Sequence, residues 1–162
     1  MAEESYPMTP AGRDRLRARL RQLRDVDRHD NVREIEAALE HGDLRENAEY
    51  HAAKERQGQI DAELRMLEYT VGRAQVIDPA KINSETIGFG ATIKLLDMDT
   101  DKEVVYALVG EQEADVDHGR ISIKTPIARA LLGKREGDDV TIRLPKGERE
   151  FEVLSVEYRA LD

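Results

Sequence analysis

Two acidic residues, Asp43 and Glu46, stand three apart in the run Glu40-His41-Gly42-Asp43-Leu44-Arg45-Glu46-Asn47-Ala48-Glu49-Tyr50-His51. On a helix that spacing sets both carboxylates on one side. One consequence is structural. Asp43 as N-cap, with Glu46 at the third helical position, makes a capping box worth about 1 kcal/mol. The other consequence is chemical. Adjacent carboxylates suit Mg2+, a hard cation that takes oxygen ligands and is often held by only one or two protein carboxylates. On an exposed tip such a pair binds the ion weakly and becomes useful only where another macromolecule supplies the remaining ligands. The two readings are compatible, because a capping carboxylate keeps spare lone pairs. Tyr50 and His51 lie close enough in sequence to contact a substrate, although Tyr50 also falls on a packing stripe.

Elsewhere the sequence offers little chemistry. His29, His41, His51 and His118 show no metal-ligand spacing. With no cysteine, a disulfide framework, a Cys-ligated zinc and a thiol nucleophile are all excluded. Gly88-Phe89-Gly90 lacks a third glycine and a following helix, so it reads as a turn and not as a phosphate loop. Aromatic residues make up only 4% of the chain, which argues against an aromatic active-site pocket and gives no support to an autonomous enzyme. Acidic residues outnumber basic ones by 34 to 25, and the net charge of −9 disfavours a simple duplex binder. Arg13, Arg15, Arg17, Arg19, Arg21 and Arg24 nevertheless crowd one helical segment. They read as a solvated face, or as a local basic patch toward RNA or an acidic protein rim. No apolar run approaches the roughly 18 residues of a membrane span, and Met-Ala-Glu-Glu does not open a signal peptide, so a soluble, cytoplasmic protein is expected.

The acidic pair needs elements to carry it. Ile60, Leu64, Leu67, Val71 and Ala74 step by four and three, a heptad seam that continues backwards through Gln57, Ala53, Tyr50 and Glu46 to Asp43. A single helix from Asp43 to Ala74 would be roughly 48 Å long, and so narrow a seam requires a partner helix. The partner precedes it. Thr9-Pro10 reads as cap and first helical position; Leu16, Leu20 and Leu23 form one stripe, and Val32, Ile35 and Leu39 another. Nine residues separate Leu23 from Val32, about half a turn out of phase on an ideal helix. The spacing therefore predicts a break or kink between Arg24 and Asn31, with an Asn31–Glu34 capping box able to restart the helix. Gly42 ends the first arm. The result is an antiparallel helical hairpin over residues 1–75, with its acidic tip near 41–47.

From residue 76 to 162 the pattern changes to β-branched alternation with glycine and proline. Ala91–Leu96 and Val104–Val109 flank a hairpin loop, Ile121–Ile123 is a short strand, Thr125-Pro126 caps a short helix closed by Gly133, and Val140–Leu144 and Phe151–Tyr158 complete the set. The fold class is α+β: a long N-terminal helical hairpin followed by a small antiparallel β domain with one short helix.

The run from Gly42 to Glu55 resembles the signature stretch of the bacterial Gre transcript-cleavage factors, of the GreA type. Glu113-Ala114-Asp115, Ile121-Ser122 and Thr125 to Lys134 resemble the C-terminal domain of the same family, and Met8-Thr9, Gly12 and Leu16 its start. The resemblance implies a coiled coil that enters the secondary channel of bacterial RNA polymerase and an FKBP-like domain that docks on the channel rim. It implies that Asp43 and Glu46 help hold a second Mg2+ and the attacking water in the polymerase active site, so that the polymerase cleaves the 3′ end of its own backtracked transcript. The metal is shared with the polymerase, and none is expected on the free protein. Arg45, Asn47 and Tyr50 are the expected contacts to RNA at the tip; Thr125, Pro126 and Arg129 are the expected polymerase contacts. The expected protein is an accessory factor and a monomer. Two alternatives accompany this reading. Inhibitory relatives bind the same channel, but their tips depart from the Asp-Leu-x-Glu-Asn pattern kept here. The other is a prolyl-isomerase or chaperone-like module bearing a coiled coil.

Overall fold

A computed structural model describes residues 4–42 and 47–162. The chain divides into two units, Met1–Ser5 with Arg13–Ala74, and Tyr6–Gly12 with Gln75–Asp162. The segment Tyr6–Gly12 thus groups with the C-terminal unit, whereas the sequence pattern assigns it to the hairpin.

The first unit is built from helix α1 (Pro10–Gln22, whose opening turn belongs to the second unit), a π-helical turn over Leu23–Asp27, α2 (Arg28–Leu39) and α3 (Ala48–Gly72). Leu23, Ile60, Leu64 and Leu67 form its buried cluster, with Leu16 and Leu20 packed against them. The seam predicted for α3 is therefore present from Tyr50 to Leu67, and Thr70 takes its last buried position. Two expectations for the other arm are corrected. Of the break or kink expected there, the helix shows no break and no restart, and the irregularity is a π-turn: the Arg28 N–H bonds to the Leu23 carbonyl, five residues back, and helix continues on both sides. The stripe after the turn is not Val32-Ile35-Leu39 either. Val32 and Leu39 are 42% and 46% exposed, while Asn31 and Ala38 are each only 2% exposed. The physical reason is the π-turn. It takes up one extra residue, so the eight residues from Leu23 to Asn31 complete two turns where an ideal α-helix needs about seven. Asn31 thereby lands on the seam. Its side-chain amide donates to the Ala53 carbonyl of α3 at 2.9 Å, so it is not the start of a new helix. Ion pairs flank the seam: Arg19 is bidentate to Glu63 at 2.8 and 3.1 Å, and Arg28 meets Asp61 at 3.2 Å.

The second unit holds two sheets. Strand β1 (Tyr6–Met8) pairs with β2 (Ala74–Val76). The larger sheet contains β3 (Ala91–Asp97), β4 (Glu103–Val109), β5 (Arg120–Ser122), β6 (Asp139–Leu144) and β7 (Gly147–Tyr158), in the order β5-β4-β3-β7-β6. Ala91, Ile93 and Leu95 alternate onto one face, where they join Leu108, Val140 and Val153 beneath the short helix α4 (Pro126–Leu131). The sheet is not wholly antiparallel as expected, because β5 runs parallel to β4. Two 3-10 turns, Glu111–Glu113 and Val116–His118, return the chain between them. Gly119 then adopts φ +71°, where a Cβ would stand 2.7 Å from the Val105 carbonyl oxygen. Among the described residues no helix is long and apolar enough to cross a membrane.

Two carboxylates are buried among the described residues, Asp97 and Glu113, and Glu113 reaches the chain's start. It is 7% exposed. It accepts from the Thr9 N–H at 3.0 Å, from the Thr9 hydroxyl and from the Gly110 N–H at 3.4 Å. Thr9 in turn caps α1, its hydroxyl oxygen accepting from the Gly12 N–H at 3.1 Å. In an ordinary capping box the carboxylate that reaches back to the N-cap N–H comes from the third helical position. Here that position is Gly12, and the carboxylate arrives from 104 residues away. A Cβ at position 12 would run into the Glu113 carboxylate, so any larger residue there must push that side chain out of its bonds.

Three substitutions test these packing assignments. Gly12→Ala, although it adds helix propensity, is expected to displace Glu113 from all three bonds and lower stability by about 2–4 kcal/mol in urea denaturation. Asn31→Ala is expected to cost about 1–3 kcal/mol, whereas Val32→Ala, one residue along, costs less than about 0.5; the reverse order would restore the stripe read from the spacing.

Candidate functional site

The two arms end in different ways. The Gly42 N–H donates to the Leu39 carbonyl at 3.4 Å, and Gly42 takes φ +90°, the left-handed conformation that stops a helix. The second arm begins at Ala48, with Asn47 as its N-cap, so the expected helix start at Asp43 is corrected. The physical reason is competition between two adjacent cap signals, Asp43-x-x-Glu46 and Asn47, of which Asn47 caps α3. With 25 residues, α3 is roughly 37 Å long rather than 48 Å. Asp43, Arg45 and Glu46 lie outside the described residues, as does the expected capping box.

Asn47 uses both ends of its amide. Its oxygen accepts from the Tyr50 N–H at 3.0 Å, and its nitrogen donates to the Ala38 carbonyl at 2.6 Å. Tyr50 is half-buried on the seam, with its ring edge-on to His51 at 5.7 Å between centroids. His41 and Glu49 approach to 3.4 Å across the two arms. Ala38 and Ala53 are both buried here, so the seam narrows toward this end from the leucines of its base. The arginine run is partly neutralised: Arg19 by Glu63, Arg13 by Asp14 and Arg24 by Asp25. Among the described residues, no group of three or more His, Asp or Glu side chains forms a metal site.

In the second unit, Thr125 caps α4. Its hydroxyl accepts from the Ala128 N–H at 3.3 Å and donates to the Ser122 carbonyl at 2.8 Å. Pro126 and Arg129 are exposed on the outer side of this helix, while Ala128 and Leu131 face the core. The three expected docking residues are therefore brought together on one short helix, two of them accessible and Thr125 half-buried.

A cavity of about 330 Å³ opens between α4 and the sheet, lined by Tyr106, Phe151, Ile127 and Ile142 with Asp97 and Arg149 at its side. β4 and β7 here place two of the chain's few aromatic rings, Tyr106 and Phe151, along one cavity. Asp97 pairs with Arg149 and accepts from the Asp99 N–H at 3.0 Å. Burial pushes its carboxyl upward, but the Asp99 N–H and the Arg149 guanidinium outweigh that and hold it below the usual carboxylate range. No local sequence signal marks this pair, whose members are 52 residues apart.

A depressed carboxylate stabilises the fold above its unfolded-state value of about 3.9, and that contribution disappears as pH falls through the lower folded value. Asp97→Asn is therefore expected to lower the thermal midpoint at pH 7. The gap between variant and wild-type midpoints should shrink as pH falls below the unfolded-state value of about 3.9, measured by circular dichroism melts across the range. A constant gap down to about pH 2 would contradict the assignment.

Residues 6–76 match the family described as transcription elongation factor, N-terminal, and residues 82–158 match transcription elongation factor, GreA/GreB, C-terminal. The chain is 51% identical over 159 residues to transcription elongation factor GreA of a Nitratiruptor species, covering 98% of this chain and 97% of that one. It is 47% identical over 160 residues to transcription elongation factor GreA of Francisella tularensis subsp. novicida, covering 98% and 100%. Among solved structures, the crystal structure of GreA factor homolog 1 of Thermus thermophilus aligns with 95% of this chain and 99% of that chain, at 29% identity and a TM-score of 0.44. With both halves matched and about half of all positions shared with full-length relatives, the chain belongs to the GreA/GreB family of transcription elongation factors.

Proposed function

We propose that this elongation factor binds RNA polymerase, inserts its helical hairpin into the secondary channel and stimulates the polymerase's own cleavage of backtracked RNA. The observation that carries the reading is the intact Asp43-Leu44-Arg45-Glu46-Asn47 run between two paired arms. Asp43 and Glu46 contribute carboxylate oxygens to a Mg2+ that the polymerase holds only loosely, and they orient a water toward the scissile phosphate. Oxygen donors of this kind fit that ion. When bound, Mg2+ stabilises the entering and leaving oxygens of an in-line displacement. The chain's own task is positional: the seam and its flanking ion pairs hold the arms together, and a rigid support keeps reactive groups within the narrow tolerance such chemistry demands. Arg45 and Tyr50 face the RNA 3′ end, and Thr125, Pro126 and Arg129 contact the channel rim. The factor acts as a cytoplasmic monomer and is not a nuclease by itself.

The test is a stalled, backtracked polymerase complex carrying end-labelled RNA and Mg2+. Wild-type protein is expected to release short 3′ fragments. Asp43→Asn and Glu46→Gln are expected to bind with unchanged affinity and slow cleavage about 10- to 100-fold. If the double variant cleaves like wild type, the tip assignment is wrong. Docking without cleavage by the wild-type protein would transfer the chain to the inhibitory reading.

A further inference from the structure

We infer that Asn47 is a positioning residue for the acidic pair that precedes it in sequence, because it bonds the two arms to each other. The inference rests on the reading that Asp43 and Glu46 act at the tip. An N-cap needs only an acceptor, and Asp serves that purpose as well as Asn. Asn47 does more than cap. Its oxygen takes the Tyr50 N–H at 3.0 Å, one of the orphan donors of α3, while its nitrogen gives a hydrogen bond to the Ala38 carbonyl at 2.6 Å, in the last turn of α2. One side chain thus satisfies an open end of each arm. Asp could not make the second bond, because an ionised carboxylate has no hydrogen to donate. The carbonyl it meets is fixed in turn: Ala38 is buried, and the same oxygen also accepts the His41 N–H at 3.2 Å. Asn47 therefore ties the last turn of α2 to the first turn of α3. Both ends of the amide bond within the protein, which assigns it to tying the two arms together.

Three variants separate the capping role from the bridging role. Asn47→Asp keeps a cap acceptor and loses the bridge for want of a hydrogen, and Asn47→Ser keeps the acceptor on a side chain one bond shorter, too short to span to the Ala38 carbonyl as well; Asn47→Ala loses both. In the free protein, amide hydrogen exchange should leave the Tyr50 N–H protected in the Ser and Asp variants and exposed in Ala. On backtracked polymerase, the Ser and Asp variants should reach half-maximal cleavage at a factor concentration within about twofold of wild type. Their maximal rate should fall about tenfold, and the Mg2+ concentration for half-maximal rate should rise several-fold. Wild-type rate and Mg2+ dependence in both variants would overturn the inference. So would a lowered rate with unchanged Mg2+ dependence, which indicates a direct RNA contact, or a shift confined to the half-maximal factor concentration, which indicates docking. The functional reading fails separately: Asp43→Asn with Glu46→Gln would then cleave like wild type, whatever Asn47 does.

Discussion

A hairpin joined along one narrow seam can place its far end only if the two helices stay in phase along the whole contact. Small errors accumulate, since a helix drifts about 20° per heptad from a strict 3.5 repeat. The first arm corrects its phase in a single step. Its π-turn over Leu23–Asp27 absorbs one residue and returns Asn31 and Ala38 to the face that Leu16, Leu20 and Leu23 began. The corrected face differs in kind. Below the turn the contact is leucine and isoleucine, wide and strongly apolar. Above it the buried residues are small, Ala38 on one arm and Ala53 on the other, with one buried asparagine bonded to a backbone carbonyl. Leucines supply most of the burial energy, while a single buried amide in an apolar seam specifies alignment at some cost in stability. The π-turn lies at the boundary between these two regimes.

That arrangement explains which parts of the hairpin are legible from residues alone. The seam of α3 is unbroken in the sequence, so Ile60, Leu64 and Leu67 follow directly from their spacing. Leu16, Leu20 and Leu23 follow for the same reason. The face of α2 does not, because counting residues at 100° apiece assumes an α-helix throughout, and a π-turn violates the assumption without any proline or glycine to announce it. Val32 and Leu39 mislead for that reason: they are apolar and at regular spacing, yet exposed. The start of α3 is obscured differently. Asp43 with Glu46 makes the fuller cap signal, whereas Asn47, which caps the helix, has no Glu or Gln three residues on to mark it. In the β unit, strand positions follow from alternation, but the parallel β4–β5 pair and the pocket between α4 and the sheet depend on contacts far apart in sequence.

Glu113 illustrates the same limit from the other side. Sequence resemblance picks out Met8-Thr9 and Gly12 near one end and Glu113 far beyond them, without any reason for their joint appearance. The structure supplies the reason: a cap, a carboxylate and the one residue small enough to let them meet. A glycine at the third position of a helix looks like a weakness when the helix is considered alone, since it lowers propensity and leaves the cap without its usual partner. With Glu113 in place, it is the condition for the bond.

Three helix starts share one device. Thr9, Asn47 and Thr125 each accept a backbone N–H of the helix they begin. Each also donates a hydrogen bond outside that helix: Thr9 to Glu113, Asn47 to Ala38, Thr125 to Ser122. Hydroxyls and primary amides can accept and donate at once, whereas ionised carboxylates only accept. Asp is as good a cap as these residues for an isolated helix, so its absence from all three positions follows from the second bond and not from the first. Each helix is consequently fixed at its first turn to whatever precedes or faces it: a carboxylate, the opposite arm, a strand. Helix ends are ordinarily where fraying begins. Tying them outward converts the least constrained backbone into points of attachment, and it leaves the acidic residues of the chain free for tasks in which accepting alone is what the chemistry requires.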